Sequence, residues 1–206
     1  MKKQTAPIAI ASPKEQIHLF GYDKYFKYFT NLFLNNKIPN CILLSGPKGL
    51  GKATFAYHFI NSLLSKNEEK PYVFENYMIN KDNLSYKLMN SDIHPNFYLV
   101  DNKNFDKEIK IEQIRRLLIF LNKSTYSRNL KIILIDNVEN LNLSSANALL
   151  KSLEEPNNNT FFIIIHNNSF KLLDTIKSRT TEFKIFFSKN EKEETLHKII
   201  KQNNIK

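Results

Sequence analysis

A chain of 206 residues, 42% hydrophobic and 24% charged, is long enough for one domain with a real core and is not a disordered composition. Its formal net charge is +10, with only four arginines among thirty basic residues. Attraction to nucleic-acid phosphates and an AT-rich, lysine-favouring codon usage account for that excess equally well. A single cysteine, Cys41, excludes an internal disulfide and a cysteine-based zinc site, and no apolar run suits a signal peptide or a membrane span, so a protein of the reducing cytoplasm is expected.

Tyr25, Phe26, Phe29 and Phe33 recur at helical spacing over 22–35, and Pro39 ends that segment. Cys41–Leu44 is a short apolar run entering Ser-Gly-Pro and predicts a buried strand. Residues 52–65 carry the stripe Phe55, Ala56, Phe59, Ile60, Leu63 and Leu64 and predict a helix. Residues 66–92 are polar and irregular, with Pro71 inside, and no element is assigned there. Phe97–Val100 reads as a strand, 103–110 as a charged connection, and 110–122 as a helix through Ile111, Ile114, Leu118 and Leu121. Ile132–Ile135 is a buried strand. Ala146, Leu149, Leu150 and Leu153 make a helix that Pro156 closes. Phe161–Ile165 is the next strand, followed by a short helix near 170–177, a last strand at Phe183–Phe187 and a helix over 190–203. Continuous apolar strands alternating with helices imply a parallel sheet covered on both faces, with ligands at the carboxyl ends of the strands.

The sharpest local signal is Ser45-Gly46-Pro47-Lys48-Gly49-Leu50-Gly51-Lys52-Ala53-Thr54, because three of the four glycines in the chain fall within 46–51. The spacing fits G-x-x-x-x-G-K between a strand and a helix. Glycines let the backbone turn its N–H groups toward phosphate oxygens, the helix N-terminus adds partial positive charge, and Lys52 reaches the terminal phosphates. The residue after the lysine should carry a hydroxyl for magnesium, and here it is Ala53. Thr54 follows one residue late, and a helical step of roughly 100° aims it elsewhere. ATP binding is expected, without well-ordered magnesium; a loop that keeps its shape and binds nothing is the alternative.

Lys131–Asn137 places Asp136 at the carboxyl end of a strand. Alone, Asp136 is explained as a strand-terminal turn residue. Beside the phosphate loop, it reads as the magnesium-facing acid of an NTPase. Asn137 stands where a water-orienting Glu is expected, and an amide is no general base at neutral pH. Glu139 is expected to lie on a different trajectory. His58 and His94 lack metal-ligand company and read as structural.

The run Asn142-Leu143-Ser144-Ser145-Ala146-Asn147-Ala148-Leu149-Leu150-Lys151-Ser152-Leu153-Glu154-Glu155-Pro156 resembles the signature of the bacterial clamp-loader AAA+ family, the gamma/tau and delta-prime subunits of DNA polymerase III. The order of the other motifs resembles that family over about 17–187, ending in Ser178-Arg179-Thr180, where Thr180 replaces the family's Cys. The resemblance implies a Rossmann-like parallel five-stranded sheet in the order 5-1-4-3-2. It implies that Arg179 is an arginine finger acting in a neighbouring subunit, that Asn167 is at the sensor position polling the terminal phosphate, and that the family's four-Cys zinc module is absent. The loss of a hydroxyl at 53 and of Glu at 137, with Arg179 kept, fits the delta-prime branch better than the hydrolysing gamma/tau branch. An active gamma/tau-type ATPase and a nucleotide-free AAA+ scaffold are the alternatives. The implied partners are the gamma/tau and delta subunits, and, through the complex, the sliding clamp and primed DNA, with Lys103, Lys107 and Lys110 as candidates for phosphate contact. Residues 1–187 are expected to form the AAA+ domain and 188–206 the start of a helical lid, the rest of the lid and the collar being missing from this sequence.

Overall fold

The computed structural model describes residues 11–102, 108–122 and 130–202. Lys103, Lys107 and Arg128 lie outside the described residues.

Helix α1 (Asp23–Leu34) leads to strand β1 (Cys41–Gly46), helix α2 (Lys52–Leu64) and a short helix α3 (Leu84–Asn90). Strand β2 (Phe97–Val100), helix α4 (Ile111–Asn122) and strand β3 (Lys131–Ile135) follow. A 3-10 turn at Val138–Asn140 precedes helix α5 (Leu143–Glu154), strand β4 (Thr160–Asn167) and helix α6 (Asp174–Lys177). Strand β5 (Thr181–Lys184) and helix α7 (Lys189–Gln202) complete the described chain.

The strands form one sheet in the order β2-β3-β4-β1-β5, and every pairing is parallel. Read from the β5 edge this is 5-1-4-3-2, as the resemblance implies. Alternate residues of each strand point to opposite faces. Ile42, Leu44, Ile132, Leu134, Ile163 and Ile165 therefore enter one core. Cys41, Leu43, Ile133, Ile135, Phe162 and Ile164 enter the other. Helices α1 and α2 supply the first core with an aromatic cluster: Phe29 meets Phe55 at 5.3 Å and Phe59 at 5.6 Å between ring centroids, in edge-to-face contact. Helices α4 and α5 cover the second face through Ile114, Leu117, Ala146 and Leu149.

One unassigned segment gains a helix, and the bounds of two elements differ from those expected. The segment 66–92 contains α3. Asn83 caps it, its side-chain oxygen accepting from the Tyr86 N–H at 2.6 Å, while the Glu68 carboxylate accepts from the N–H groups of Leu84 and Ser85. Capping rather than apolar periodicity makes this helix. The last strand is Thr181–Lys184, not Phe183–Phe187. It is an edge strand whose register is set by pairing Ile42 with Thr181 through Ser45 with Lys184, so its residues are largely exposed and its sequence is not an apolar run. The helix near 170–177 shrinks to Asp174–Lys177, because Phe170 is held to the end of β4, its N–H donating to the Asn167 carbonyl and its own carbonyl bonded to His166 Nε2.

Among the described residues, no helix is long and apolar enough to cross a membrane. His58 is fully buried; its Nε2 donates to the Gln16 carbonyl and its Nδ1 accepts from the Tyr72 hydroxyl, both at 3.0 Å, and burial pushes its pKa down to about 3.

Candidate functional site

The loop between β1 and α2 turns at Gly49 and Gly51, whose φ angles of 85° and 82° lie in the left-handed region that suits glycine. Gly46 answers a different need: a Cβ there would lie 2.5 Å from the Ile185 carbonyl oxygen, since the chain beyond β5 closes against β1. The Tyr22 hydroxyl donates to the Leu50 carbonyl at 2.9 Å and ties the loop to α1. Helix α2 begins at Lys52 with no side-chain cap, so the unpaired N–H groups of its first turn remain for a ligand.

Lys52 is buried, and its ammonium donates to the carbonyls of Gly46 and Pro47, each at 2.7 Å. Burial lowers its pKa, while Glu139 and then Asp136 oppose that shift. Asp136 follows β3 directly. Burial pushes its carboxyl up to about 6; Asp101 and Glu139 add to the rise, while the Asn137 backbone N–H and Lys52 counter it.

These residues surround a cavity of about 600 Å³. Of the residues expected at the site, Lys48, Gly49, Gly51, Lys52, Ala53, Thr54, Asp136 and Asn167 line it. Gly46, Pro47 and Leu50 shape the loop without lining the cavity. Thr54 shares the wall with Ala53, contrary to the expectation that one helical step turns it away: both lie in the first turn of α2, whose whole end opens to the cavity. The glycine-rich turn, the open helix end and Lys52 fit the phosphates of a nucleotide. Magnesium fits less well, because Ala53 offers no hydroxyl and Asp136 is left as its principal ligand.

The sequence reading missed Glu139. Asn137 adopts φ 55°, a left-handed conformation that asparagine tolerates, and this folds the chain back into the 3-10 turn. Glu139 thereby reaches the cavity, and its carboxylate accepts from the Asn167 backbone N–H at 3.1 Å. The signal was Asp-Asn-x-Glu after a strand, with Asn as the residue that permits the reversal. Asn137 itself donates toward Asn102 Oδ1 at 3.4 Å. Asn167 ends β4, its side-chain oxygen accepts from Ser169 N–H, and the next N–H, that of Asn168, donates to Gly46 O. The strand end that carries Asn167 is thus stitched to the phosphate loop.

Arg179 lies elsewhere. It precedes β5, whereas the phosphate loop follows β1, and those two strands are parallel, so Arg179 stands at the opposite end of the sheet. Its Nε donates to Glu154 Oε1 at 2.7 Å, a second guanidinium nitrogen meets the same carboxylate, and a third bond reaches Thr175 O at 2.9 Å. The signature helix α5 therefore holds Arg179 through Glu154 in its last turn.

Comparison with known proteins agrees with this architecture. Residues 21–189 match the family model described as DNA polymerase III, delta subunit. The chain is 31% identical over 140 residues to DNA polymerase III subunit delta' of Pseudomonas aeruginosa, covering 68% of this chain and 41% of that protein. It is 30% identical over 173 residues to the gamma subunit of Buchnera aphidicola subsp. Schizaphis graminum, covering 84% of this chain and 45% of that protein. Among solved structures, a DNA polymerase III gamma subunit-related protein from Thermotoga maritima matches with a TM-score of 0.54 at 20% identity, over 84% of this chain and 51% of that one. RuvB from the same organism matches with a TM-score of 0.52 at 15% identity, over 95% of this chain and 54% of that one. These two likenesses speak to the fold alone. The chain belongs to the DNA polymerase III delta subunit family. It spans less than half the length of the Pseudomonas and Buchnera relatives.

Proposed function

We propose that this chain works as a stator-like clamp-loader subunit, assisting ATP-dependent loading of a sliding clamp onto primed DNA. It binds a nucleotide in the cavity around Lys52, turns over little or none of it, and supplies Arg179 to the site of a neighbouring gamma/tau-type subunit. A delta subunit completes the assembly, which works in the cytoplasm. Residues 11–187 form the AAA+ unit, and α7 is the first helix of the lid.

One observation carries the reading: Arg179 stands at the opposite end of the sheet from the phosphate cavity of its own chain. A strand of four residues spans roughly 13 Å, which puts the guanidinium out of reach of its own chain's cavity and supports a role at a site that another molecule brings to it. Glu154 fixes its orientation. A guanidinium suits the role because it stays charged and presents a planar fork of donors to a phosphoryl group. Weak turnover follows from Ala53, which lacks the magnesium-binding hydroxyl, and from Asn137, which is no general base.

The test is co-purification with the gamma/tau and delta subunits of the same cell. A stable complex whose ATPase falls with Arg179→Ala, while the complex persists, supports the reading. Steady ATP turnover by the isolated chain, abolished by Lys52→Ala, sinks it in favour of an active ATPase.

A further inference from the structure

Glu139 enters the cavity from the 3-10 turn and holds the Asn167 N–H at 3.1 Å. What this carboxylate does there rests on the reading of the cavity as a nucleotide site. In a glycine-rich loop ahead of a helix, backbone N–H groups cradle the inner phosphates, and the loop lysine reaches the outermost ones. The outermost phosphate therefore stands beside Lys52. Glu139 and Asp136 line the cavity together with Lys52, and both carboxylates oppose the fall in pKa that burial imposes on its ammonium. Lys48 lines the cavity too, but it is exposed. Lys52 divides its ammonium between two loop carbonyls at 2.7 Å.

A loop built for a triphosphate sets a magnesium ion among such carboxylates, fixed by the hydroxyl after the lysine, and the ion offsets their charge. Ala53 has no hydroxyl to fix it. Two carboxylates and one shared ammonium then face the terminal phosphate. Like charges gathered in one partly open cavity repel, and salt screens that repulsion. A diphosphate engages the same N–H groups while carrying less charge toward Glu139. The geometry points to Glu139 as a charge filter that makes the cavity favour a nucleoside diphosphate over a triphosphate. It also ties the filter to the fold, because the carboxylate that repels the third phosphate is the one that holds the end of β4.

The experiment titrates the purified chain with fluorescent methylanthraniloyl derivatives of ADP and ATP, with and without magnesium. The wild type binds the diphosphate at least roughly tenfold more tightly, a gap of about 1.4 kcal/mol. Glu139→Gln keeps an oxygen for the Asn167 N–H and reduces that preference to about threefold or less, chiefly by strengthening triphosphate binding. A melting temperature equal to the wild type's shows that the variant is folded. As an independent check on the wild type, raising salt from about 0.05 M to about 0.5 M shrinks the preference, since the filter is electrostatic. A wild type that favours the triphosphate, or a preference that neither Glu139→Gln nor salt alters, overturns the role of Glu139 and leaves the nucleotide site standing. Failure of wild type and variant to bind either nucleotide overturns the site itself, and the filter with it.

Discussion

Replacing Asp136 with Asn should stabilise the protein at neutral pH while damaging the site. The carboxyl is largely enclosed, with Glu139 and Asp101 close enough to add to its burden, and its pKa rises from 3.8 to about 6. A group whose folded value is raised contributes stability that is fully present below the unfolded value and is lost as pH rises through the folded one. By pH 7.5 that contribution is gone, and the ionised carboxylate costs the folded state up to about 3 kcal/mol. An amide keeps the oxygen that accepts from the Asn137 N–H and removes the charge. Asp136→Asn should therefore gain about 2–3 kcal/mol at pH 7.5, and most of that gain should vanish near pH 4, where the wild-type carboxyl is protonated in the fold. At this chain length the gain raises Tm by roughly 2–4 °C per kcal/mol. Urea denaturation of both proteins at the two pH values reads the difference directly, and acid-titrating groups remote from Asp136 cancel in the comparison. A variant no more stable than the wild type at pH 7.5, or one equally favoured at both pH values, would show that the Asp136 carboxylate imposes no such cost on the fold.

Three further outcomes follow from the geometry. Gly46→Ala should destabilise the fold by about 2–4 kcal/mol, because its Cβ would meet the Ile185 carbonyl at 2.5 Å, a backbone atom that cannot step aside; thermal melts check this. Tyr72→Phe should cost about 1–2 kcal/mol in chemical denaturation by leaving His58 Nδ1 without its donor. Since the folded pKa of His58 is depressed to about 3, stability from this residue is full above the unfolded value of 6.5 and declines as pH falls toward 3, by up to about 1.4 kcal/mol per pH unit; His58→Gln should flatten that decline in a pH series of melts.

The resemblance to the clamp-loader family implied the sheet order; the alternation of strands and helices and the glycine-rich loop were legible in the residues themselves. Their signals are local: apolar runs such as Ile132–Ile135, helical stripes such as Phe55 to Leu64, and glycines crowded into one turn. What escaped depends on atoms brought from elsewhere. Helix α3 is set by the caps of Asn83 and Glu68, which periodicity does not register. The bounds of β5 follow from its pairing with β1 and not from its own residues. Glu139 reaches the cavity only because Asn137 adopts a left-handed conformation, which in sequence is one asparagine among many. The partner of Arg179, Glu154, lies 25 residues away and becomes a neighbour only when α5 and α6 pack.

The proposed function turns on Arg179 acting in a neighbour's site. Its most direct measurement is the steady-state ATPase of the assembly of this chain with the gamma/tau and delta subunits, prepared with wild type and with Arg179→Lys. Lysine keeps the charge but not the planar fork. Turnover at the site served by this chain should fall by a factor on the order of a hundred or more, with the assembly intact by size-exclusion chromatography. Unchanged turnover in an intact assembly would contradict that role.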